Sequence, residues 1–519
     1  MQTVPRAPLP LWLAVLVALG AGPVLDAGFP ALDWWPLTFV GIAMVLLAQR
    51  GRRAGFAFLV GFLAGLSFYL VHVAWTALYL GPLPWIALST LEALFWGAGG
   101  ILITLAYRWV PRAFPTRLGR LGLLPVIIAG LWVLREFVTG TWPYGGFSWG
   151  RVAESQSTSP LAPLVAWLGI SGLSFVMVWL VALVVELAAA ANVRPGPRAL
   201  LAATAAALVF AIPAWPAPTD GTTRIAAVQG NGPAGYFDKA PVGAVFDAQV
   251  AETLRIPESQ ASGSKKVDMV VWPEGSALPD PTRDPSNAAI LDALSRKLGA
   301  PFIVGTITQR DDKLYNTSLQ WEAGKGAVDY YDKKHPVPFG EYVPDRAFWR
   351  PFAPDLIDLI GRDYTPGTRD NVFDVNGVRA GISICFDIVD DQLLTDMMRG
   401  GAQVILAQTN NADFGETDEN QQQLAIARLR AIESGRSLVN ISTVGSSQII
   451  APDGRTISSI PPFRPGHMVA DVPLGTTTTP ATLFSRGIEF LAAGLGLFGL
   501  LAASLGRRNA VVPLRRPLA

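Results

Sequence analysis

The chain has 519 residues, of which 50% are hydrophobic and only 16% are charged, a composition that argues against an ordinary soluble globule. The formal net charge of +1 gives no overall attraction to nucleic acid, so no nucleic-acid partner is predicted. Membrane segments are the natural explanation, because a spanning helix needs about 20 largely apolar residues.

Apolar runs of this length fill residues 1–215, which are predicted to form a membrane domain of about seven transmembrane helices. The predicted spans are 11–25, 34–49, 54–78, 84–107, 121–138, 161–190 and 198–214. An eighth span is predicted at 483–505, followed by a basic cytoplasmic tail over 506–519. The first run also resembles a cleaved signal peptide, although its removal would leave an odd number of crossings.

The basic residues of the short loops indicate the orientation, since Lys and Arg in such loops stay in the cytoplasm. If every span crosses the membrane once, most of the loop arginines lie on the same side of the membrane. They are Arg6, Arg50, Arg52, Arg53, Arg108, Arg112, Arg117, Arg120, Arg194, Arg198, Arg507, Arg508, Arg515 and Arg516. The opposite loops are nearly free of basic residues. We therefore expect a multi-pass protein of the cell membrane with both termini in the cytoplasm and the polar block 220–478 outside it.

The block 220–478 is long enough for one complete domain, and its alternating patterns predict an α/β domain with helices on the sheet faces. Predicted strands cover 224–229, 267–274, 302–308, 314–321, 378–384 and 438–444, and predicted helices cover 284–299, 392–399 and 421–433. Asp311-Asp312 and Asp453-Gly454 mark two hairpin turns.

The only cysteine is Cys385, so an intramolecular disulfide is excluded. A small buried hydrophobe is the ordinary role of a free cysteine. Cys385, however, directly follows the apolar strand 378–384, and Asp390 or Asp391 can cap the next helix. This places the thiol at a strand-to-helix bend, where a nucleophile is exposed and backbone N–H groups can stabilise an oxyanion.

A thiol nucleophile needs a proton acceptor, and histidine is the usual candidate. The three histidines are His72 in a predicted span, His335 beside two lysines, and His467, and no cysteine-protease context accompanies them. Glu274 ends a predicted strand, where a desolvated carboxylate can do the same work. No His or Cys cluster has zinc spacing, so neither a metal nor an organic cofactor is predicted.

Three ordered motifs resemble those of the carbon–nitrogen hydrolase (nitrilase) superfamily: Trp-Pro-Glu-Gly at 272–275, Tyr-Asp-Lys-Lys-His-Pro-Val-Pro-Phe-Gly-Glu at 331–341, and Ile-Cys-Phe-Asp at 384–387. In a multi-span chain they are similar to the apolipoprotein N-acyltransferases, with further matches at 139–143, 228–231, 315–317 and 427–433. The resemblance implies an extracytoplasmic nitrilase-like αββα sandwich. It implies Glu274 as general base, Cys385 as acyl-accepting nucleophile, Lys333 as oxyanion stabiliser and Glu341 as a supporting residue.

The resemblance also implies a ping-pong reaction in the membrane. A phospholipid donates an acyl chain to Cys385 as a thioester, and the amino-terminal amine of S-diacylglyceryl-cysteine on a bacterial apolipoprotein accepts it. Asp387 and Asp413 depart from residues common in relatives, glutamate and tryptophan respectively. A membrane-tethered amidase or nitrilase with the same triad is the rival interpretation, and a transporter or scaffold with an inactive domain is the non-enzymatic one.

Two other features lie outside the motifs of the resemblance. Glu92 lies inside a predicted span, where an acid is costly and is either functional or satisfied by packing. The segment 342–366 is unusually apolar for a surface loop, with Phe348, Trp349, Phe352 and Leu356. We predict that this segment is a mobile lid that touches the membrane or an acyl chain.

Overall fold

The computed structural model of the protein describes residues 7–190, 194–259 and 266–509. Its contacts divide the chain into a first unit, residues 1–214 and 486–519, and a second unit, residues 215–485. Arg6 and the part of the predicted tail beyond residue 509, including Arg515 and Arg516, lie outside the described residues.

The first unit begins with a series of largely apolar helices joined by short connections. They are α1 (Leu11–Asp26), α2 (Pro36–Gln49), α3 (Ala54–His72), α4 (Thr76–Leu80), α5 (Pro82–Ala113), α6 (Leu124–Thr139), α7 (Val165–Ala188) and α8 (Pro195–Phe210). Short π- and 3₁₀-helical turns at Gly119–Leu123, Val152–Gln156 and Ala162–Leu164 connect some of them.

The second unit mixes strands and helices. Its strands are β1 (Thr219–Gln229), β2 (Met269–Val271), β3 (Phe302–Arg310), β4 (Lys313–Glu322), β5 (Gly326–Asp332), β6 (Val372–Val375), β7 (Val378–Ile384), β8 (Val404–Thr409), β9 (Ser437–Ser442), β10 (Ser447–Ile450), β11 (Thr456–Ile460) and β12 (Gly466–Gly475). Its helices are α9 (Ala244–Thr253), α10 (Ile256–Ser259), α11 (Pro285–Leu298), α12 (Arg346–Trp349), α13 (Pro354–Leu359), α14 (Asp391–Arg399), α15 (Glu419–Ser434) and α16 (Pro480–Phe484). The last helix, α17 (Arg486–Asn509), belongs to the first unit.

Membrane character is evident from five helical segments among the described residues that are long and apolar enough to cross a bilayer: Ala54–His72, Pro82–Ala113, Gly119–Thr139, Ala162–Ala188 and Arg486–Arg507. Helices α1, α2 and α8 are apolar but shorter. The predicted span 54–78 is wrong at its end, because α3 stops at His72 and α4 starts anew. The predicted span 161–190 is interrupted at Gly169, whose φ of 68° and ψ of 175° are not helical. The number of eight spans stays a prediction.

Residues 149–164 of the connection between α6 and α7 are mostly buried although they are not α-helical, so their backbone groups need partners within the unit. Glu154 accepts hydrogen bonds from the N–H groups of Gly150 and Arg151, at 2.8 and 3.2 Å. Glu136 accepts from the N–H of Val152 at 3.2 Å. Buried acids therefore hold a non-helical segment among the helices.

Two sheets of six strands each form the second unit within residues 215–259 and 266–485, with orders β12-β1-β2-β3-β4-β5 and β11-β10-β9-β8-β7-β6. In the first sheet β1, β2 and β3 are parallel, and in the second β7, β8 and β9 are parallel. Ligand sites in α/β folds form beyond the carboxyl ends of parallel strands. Glu274 follows β2 and Cys385 follows β7 at such ends.

The sheets pack face to face, and helices cover their outer faces. On β1, Ile225 and Ala227 belong to an inner apolar cluster shared by both sheets, whereas Ala226 and Val228 belong to an outer cluster with Phe246 of α9 and other helix residues. This alternation is the two-residue period of a strand buried on both faces. Helices α14 and α15 contact the second sheet. The predicted αββα sandwich is confirmed.

Local signals place several elements where the sequence predicts them. Asp284 accepts hydrogen bonds from the N–H groups of Ser286 and Asn287 and so caps α11, which Gly299 ends with a left-handed φ of 64°. The predicted strand 267–274 is too long, because β2 covers only Met269–Val271. Glu274 and Gly275 instead lie in a turn beyond the strand.

Candidate active site

Cys385 lies where β7 passes into a short 3₁₀ helix, Cys385–Val389, at the predicted strand-to-helix bend. Its φ of 50° is in the left-handed region, which a residue with a side chain adopts at an energetic cost. Asp390 then caps α14 by accepting a hydrogen bond from the N–H of Leu393 at 2.7 Å. The bend presents the partly buried thiol at the end of the strand.

Glu274 is the carboxylate next to this thiol. Its carboxylate interacts electrostatically with the Cys385 thiol, and its Oε1 accepts a hydrogen bond from Asn316 Nδ2 at 2.7 Å. Burial raises the pKa of Glu274, whereas the neighbouring Lys333 opposes the rise. A carboxylate with a raised pKa, in contact with a thiol, is suited to accept its proton.

Lys333 supplies the cation of the site. Only 1% of the residue is exposed, and its Nζ lies 2.7 Å from Glu341 Oε2 and 3.8 Å from Glu274 Oε1. Burial opposes its charge, but the carboxylates of Glu341 and Glu274 outweigh burial and raise its pKa. Lys333 therefore stays protonated in a site from which water is largely excluded.

Glu341 fixes the positions of the groups around it. Its Oε1 accepts a hydrogen bond from Asn316 Nδ2 at 2.9 Å, and its Oε2 accepts from the N–H of Val337 at 2.7 Å as well as from Lys333. Asn316 thus bridges the carboxylates of Glu274 and Glu341. The structure brings together all four residues singled out by sequence: Glu274, Lys333, Glu341 and Cys385.

The other basic candidates bond elsewhere. Lys334 Nζ lies 3.9 Å from Asp396 Oδ2, and His335 Nε2 lies 3.5 Å from Asp390 Oδ2. His467 is hydrogen-bonded to Glu252, and His72, in the first unit, to Asp26. This geometry favours Lys333 over its neighbour and favours a carboxylate over a histidine as the proton acceptor.

Burial raises the pKa of the Cys385 thiol, Glu274 adds to the rise, and Lys333 partly offsets it. A protonated sulfur at rest is a weak nucleophile. The site therefore requires the thiol proton to be removed as the sulfur reacts, which the contact with Glu274 permits.

Asp387 and Asp413, which differ from the residues common in relatives, both accept hydrogen bonds from backbone N–H groups. Asp387 is buried and accepts hydrogen bonds from Tyr331 Oη at 2.9 Å and from the N–H of Ile384 at 3.3 Å. Burial raises the pKa of Asp387 to about 6. Asp413 accepts from the N–H of Tyr236 at 2.7 Å.

Three residues of the site were given no role from the sequence: Asn316, Glu419 and Gln423. Gln423 Nε2 lies 3.7 Å from Cys385 Sγ, and Glu419 is a buried acid that interacts electrostatically with Cys385. An acid in the first turn of a helix is expected from the helix dipole alone, and the run Gln421–Gln423 has the pattern of a solvated face. Of the three, only Asn316 could have been identified from the sequence, because it lies in the motif 315–317 that matches the family.

The segment 342–366 contains α12 and α13. Phe348 and Phe352 are 59% and 72% exposed, and the rings of Phe348, Trp349 and Phe352 pack together. The apolar surface expected from the sequence is therefore present. Movement as a lid stays a prediction.

Comparison with known proteins matches both units to families. Residues 21–183 match the apolipoprotein N-acyltransferase N-terminal domain, and residues 224–480 match the carbon-nitrogen hydrolase family. The apolipoprotein N-acyltransferase of Mycolicibacterium smegmatis is 33% identical, over 94% of this chain and 84% of that protein. The chain belongs to the apolipoprotein N-acyltransferase family. The family member from Azotobacter vinelandii is 28% identical, with 96% of each chain covered.

Solved structures give a weaker comparison. A nitrilase-superfamily amidase from Nesterenkonia matches 52% of this chain and 96% of its own, with 16% identity and a TM-score of 0.38. A nitrilase-superfamily protein from Saccharomyces cerevisiae matches 58% and 97%, with 16% identity and a TM-score of 0.37. Both scores are below 0.5, so membership of the apolipoprotein N-acyltransferase family rests on the sequence matches. As a member of that family, the protein is a membrane enzyme that transfers acyl groups.

Proposed function

We propose that the enzyme moves an acyl chain from a membrane phospholipid, through a thioester on Cys385, to the amino-terminal amine of S-diacylglyceryl-cysteine on bacterial lipoproteins. The observation that carries this proposal is the position of Cys385 at the end of β7, beside the Glu274 carboxylate and the buried cation of Lys333, whose Nζ lies 3.8 Å from Glu274 Oε1. Family membership supplies the substrates, and the residues supply the activated thiol.

In the first half-reaction Glu274 takes the thiol proton as the sulfur attacks the ester carbonyl of the phospholipid. A carbon–sulfur bond forms, and negative charge develops on the carbonyl oxygen, where a fixed cation such as Lys333 stabilises it. The carbon–oxygen ester bond then breaks. The proton on Glu274 passes to the departing oxygen, so the lysophospholipid leaves as an alcohol and the thioester remains.

In the second half-reaction the neutral α-amine of the lipoprotein attacks the thioester carbonyl. Glu274, ionised again, takes the proton that the amine loses, and Lys333 again faces the oxyanion. The carbon–sulfur bond breaks, and the proton returns to the sulfur of Cys385. The products are an amide on the lipoprotein and the resting thiol.

The rival is a membrane-tethered amidase that uses Glu274, Lys333 and Cys385 to hydrolyse a soluble amide. Both reactions pass through the same thioester and differ in whether water or an amine receives the acyl group. The long apolar helices favour the transferase, because they confine the enzyme to the surface where both lipid substrates are held.

A product assay separates the two. Purified enzyme in phospholipid vesicles with a labelled acyl chain is given a diacylglyceryl lipopeptide that has a free amino terminus. We expect label on the lipopeptide amine, and none when the lipopeptide is acetylated beforehand. Release of labelled fatty acid alone, or turnover of soluble amides without lipopeptide labelling, would replace the proposal by the amidase.

We also propose that the second unit lies outside the cytoplasm and both termini inside, on the distribution of arginine in the short loops. In a Cys385→Ala background, Val242→Cys adds a thiol at a position that is 88% exposed. An impermeant maleimide should label it in intact spheroplasts. Arg112→Cys, on the predicted cytoplasmic side, should react only after permeabilisation. The reverse pattern would invert the topology.

The exposed aromatic residues of segment 342–366 are expected to contact the acyl chain or the bilayer. We expect the paired change Phe348→Ser and Phe352→Ser to weaken use of phospholipid in vesicles, because apolar side chains that enter a bilayer or hold an acyl chain would be lost. Alkylation of Cys385 by a small soluble reagent should be unchanged. Unaltered acylation and unaltered vesicle binding would argue against a lid role.

A further inference from the structure

The sulfur of Cys385 has a second polar neighbour, Gln423 of α15, which the reaction scheme above does not use. Gln423 Nε2 lies 3.7 Å from Cys385 Sγ, a distance within reach of an N–H to sulfur hydrogen bond. Gln423 is buried and comes from a helix on the second sheet, whereas Glu274 follows a strand of the first sheet. The sulfur is therefore contacted by groups from both halves of the sandwich.

The orientation of the Gln423 amide is fixed by its neighbours. Its Oε1 accepts hydrogen bonds from Thr409 Oγ1 and from Asn411 Nδ2, both at 2.8 Å. With the oxygen held by two donors, the –NH₂ group is the one that faces the sulfur. Gln423 is thus held as a donor toward Cys385.

Asn411 is itself anchored, so the orientation does not depend on one contact. Its Nδ2 also donates to Glu419 Oε2 at 2.8 Å, and its Oδ1 accepts from Ser442 Oγ at 2.6 Å. Gly445 allows this approach, because a Cβ there would lie 2.4 Å from the Asn411 oxygen. A network of hydrogen bonds therefore connects Glu419 through Asn411 and Gln423 to the sulfur of Cys385.

A donor is needed at this sulfur because of the charges around it. The carboxylates of Glu274, Glu419 and Glu341 all disfavour negative charge on Cys385, and Lys333 is the cation that opposes them. When Glu274 receives the thiol proton it becomes neutral, but Lys333 remains paired with Glu341 at 2.7 Å. A neutral N–H donor stabilises a thiolate without adding to the net charge.

We propose that Gln423 donates a hydrogen bond to the sulfur of Cys385 whenever that sulfur carries negative charge, as the thiol attacks and as the thioester breaks. The role rests on the proposed function of Cys385 as nucleophile. Thr409 and Asn411 are positioning residues that hold the amide for this purpose.

Alkylation tests the role without any lipid substrate. Iodoacetamide reacts with the thiolate of Cys385, the only cysteine in the chain, so intact mass reports the rate at one site. The rate is measured from neutral to alkaline pH for the wild type and for Gln423→Met. Gln421→Met is the matched control, since Gln421 lies on the same helix and donates instead to Ser446 Oγ at 2.8 Å.

We expect Gln423→Met to slow alkylation at neutral pH by about 10-fold and to shift the profile about one pH unit upward, because a hydrogen bond to a charged atom is lost. Gln423→Glu, which replaces the donor by an acceptor, should slow it further. Thr409→Val, which keeps the side-chain shape, should shift the profile in the same direction by less. Gln421→Met should match the wild type.

An unchanged profile in Gln423→Met would overturn the inference. So would an equal slowing in Gln421→Met, or a slower reaction with a lowered melting temperature and no shift in pH, which would indicate a purely structural role. If the profile shifts but phospholipid never acylates Cys385, the inference holds and the proposed acyl donor fails. If phospholipid acylates Cys385 and the profile does not shift, the proposed function holds and the inference fails.

Discussion

Buried charges are arranged differently in the two units. In the first unit each of several buried glutamates faces arginine: Glu186 pairs with Arg50 and Arg120 at 2.7 and 2.8 Å, Glu154 with Arg151 at 3.1 Å, and Glu136 with Arg135 at 3.4 Å. In the second unit the buried acids Glu341, Asp387 and Glu419 and the partly buried Glu274 lie around Cys385 and Lys333.

The difference separates structural charges from reactive ones. In a matched pair the mutual attraction and hydrogen bonds offset much of the cost of burying the two charges, whereas an excess of buried acids cannot all ionise easily. Burial raises the pKa of Glu419 to about 8. Groups whose protonation changes near neutral pH are typical of catalytic sites. Glu92 of α5 is an exception in the first unit, because its buried Oε2 has no hydrogen-bond partner among the described residues.

The same change, glutamate to glutamine, tests the comparison in both units. The largest effect is expected for Glu274→Gln, because an amide cannot accept the thiol proton. The rate of lipopeptide acylation should fall by about 10³-fold, with the melting temperature nearly unchanged. Glu416→Gln, at an exposed position of the second unit, is the control. A loss smaller than tenfold would remove Glu274 from the proton transfer.

Glu341→Gln should lower the rate of lipopeptide acylation by about 10²-fold. Lys333 loses its closest carboxylate and is then attracted more strongly toward Glu274, away from its position in the site. Initial rates of lipopeptide acylation measure the effect. The control is Glu322→Gln, which breaks a Lys–Glu pair of similar length, 2.6 Å to Lys325, on the surface. Equal rates in the two variants would mean that the buried pair is only structural.

Glu186→Gln should act on stability instead of chemistry. It leaves Arg50 and Arg120 without a carboxylate in a buried position, so the apparent melting temperature in detergent should fall by at least about 3 °C. The rate per folded enzyme should stay within about twofold of the wild type. Arg117→Gln, at an exposed arginine, serves as control. A large loss of rate at full stability would show that the first unit also holds reactive charges.

Glu419→Gln should give the smallest effect, and one that depends on pH. Folding raises the pKa of Glu419 to about 8, so the folded protein binds the proton more tightly than the unfolded chain. The stability of the wild type therefore declines as pH rises from the ordinary carboxyl range, about pH 4.3, toward about pH 8. The variant should melt about 2 °C higher than the wild type at alkaline pH and equally near pH 5. A difference independent of pH would show that Glu419 does not titrate in this range.

Much of the site could be predicted because its signals are local. Cys385 follows a largely apolar strand and precedes Asp390, which caps α14, so the strand-to-helix bend is indicated by residues 378–391 alone. Asp284 and Gly299 define α11 in the same way. Membrane segments are evident from the length of apolar runs, although the break after His72 and the backbone at Gly169 leave no trace in hydropathy.

The contacts of the remaining site residues could not be predicted because their partners are distant in sequence. Asn316 reaches Glu274 and Glu341 only through the register that pairs Thr317 of β4 with Asp332 of β5. Gln423 meets Cys385 because α15 packs on the second sheet. Patterns of periodicity identify the helix but not which of its faces meets the nucleophile.

Trapping the acyl-enzyme tests the central claim most directly. Purified enzyme is incubated with phospholipid and examined by intact-protein mass spectrometry, beside Cys385→Ala. We predict a mass gain of one acyl chain that hydroxylamine removes, that is absent from Cys385→Ala, and that is discharged onto a diacylglyceryl lipopeptide. A wild-type enzyme that gains no acyl chain, or one that gains it equally without Cys385, would contradict the account.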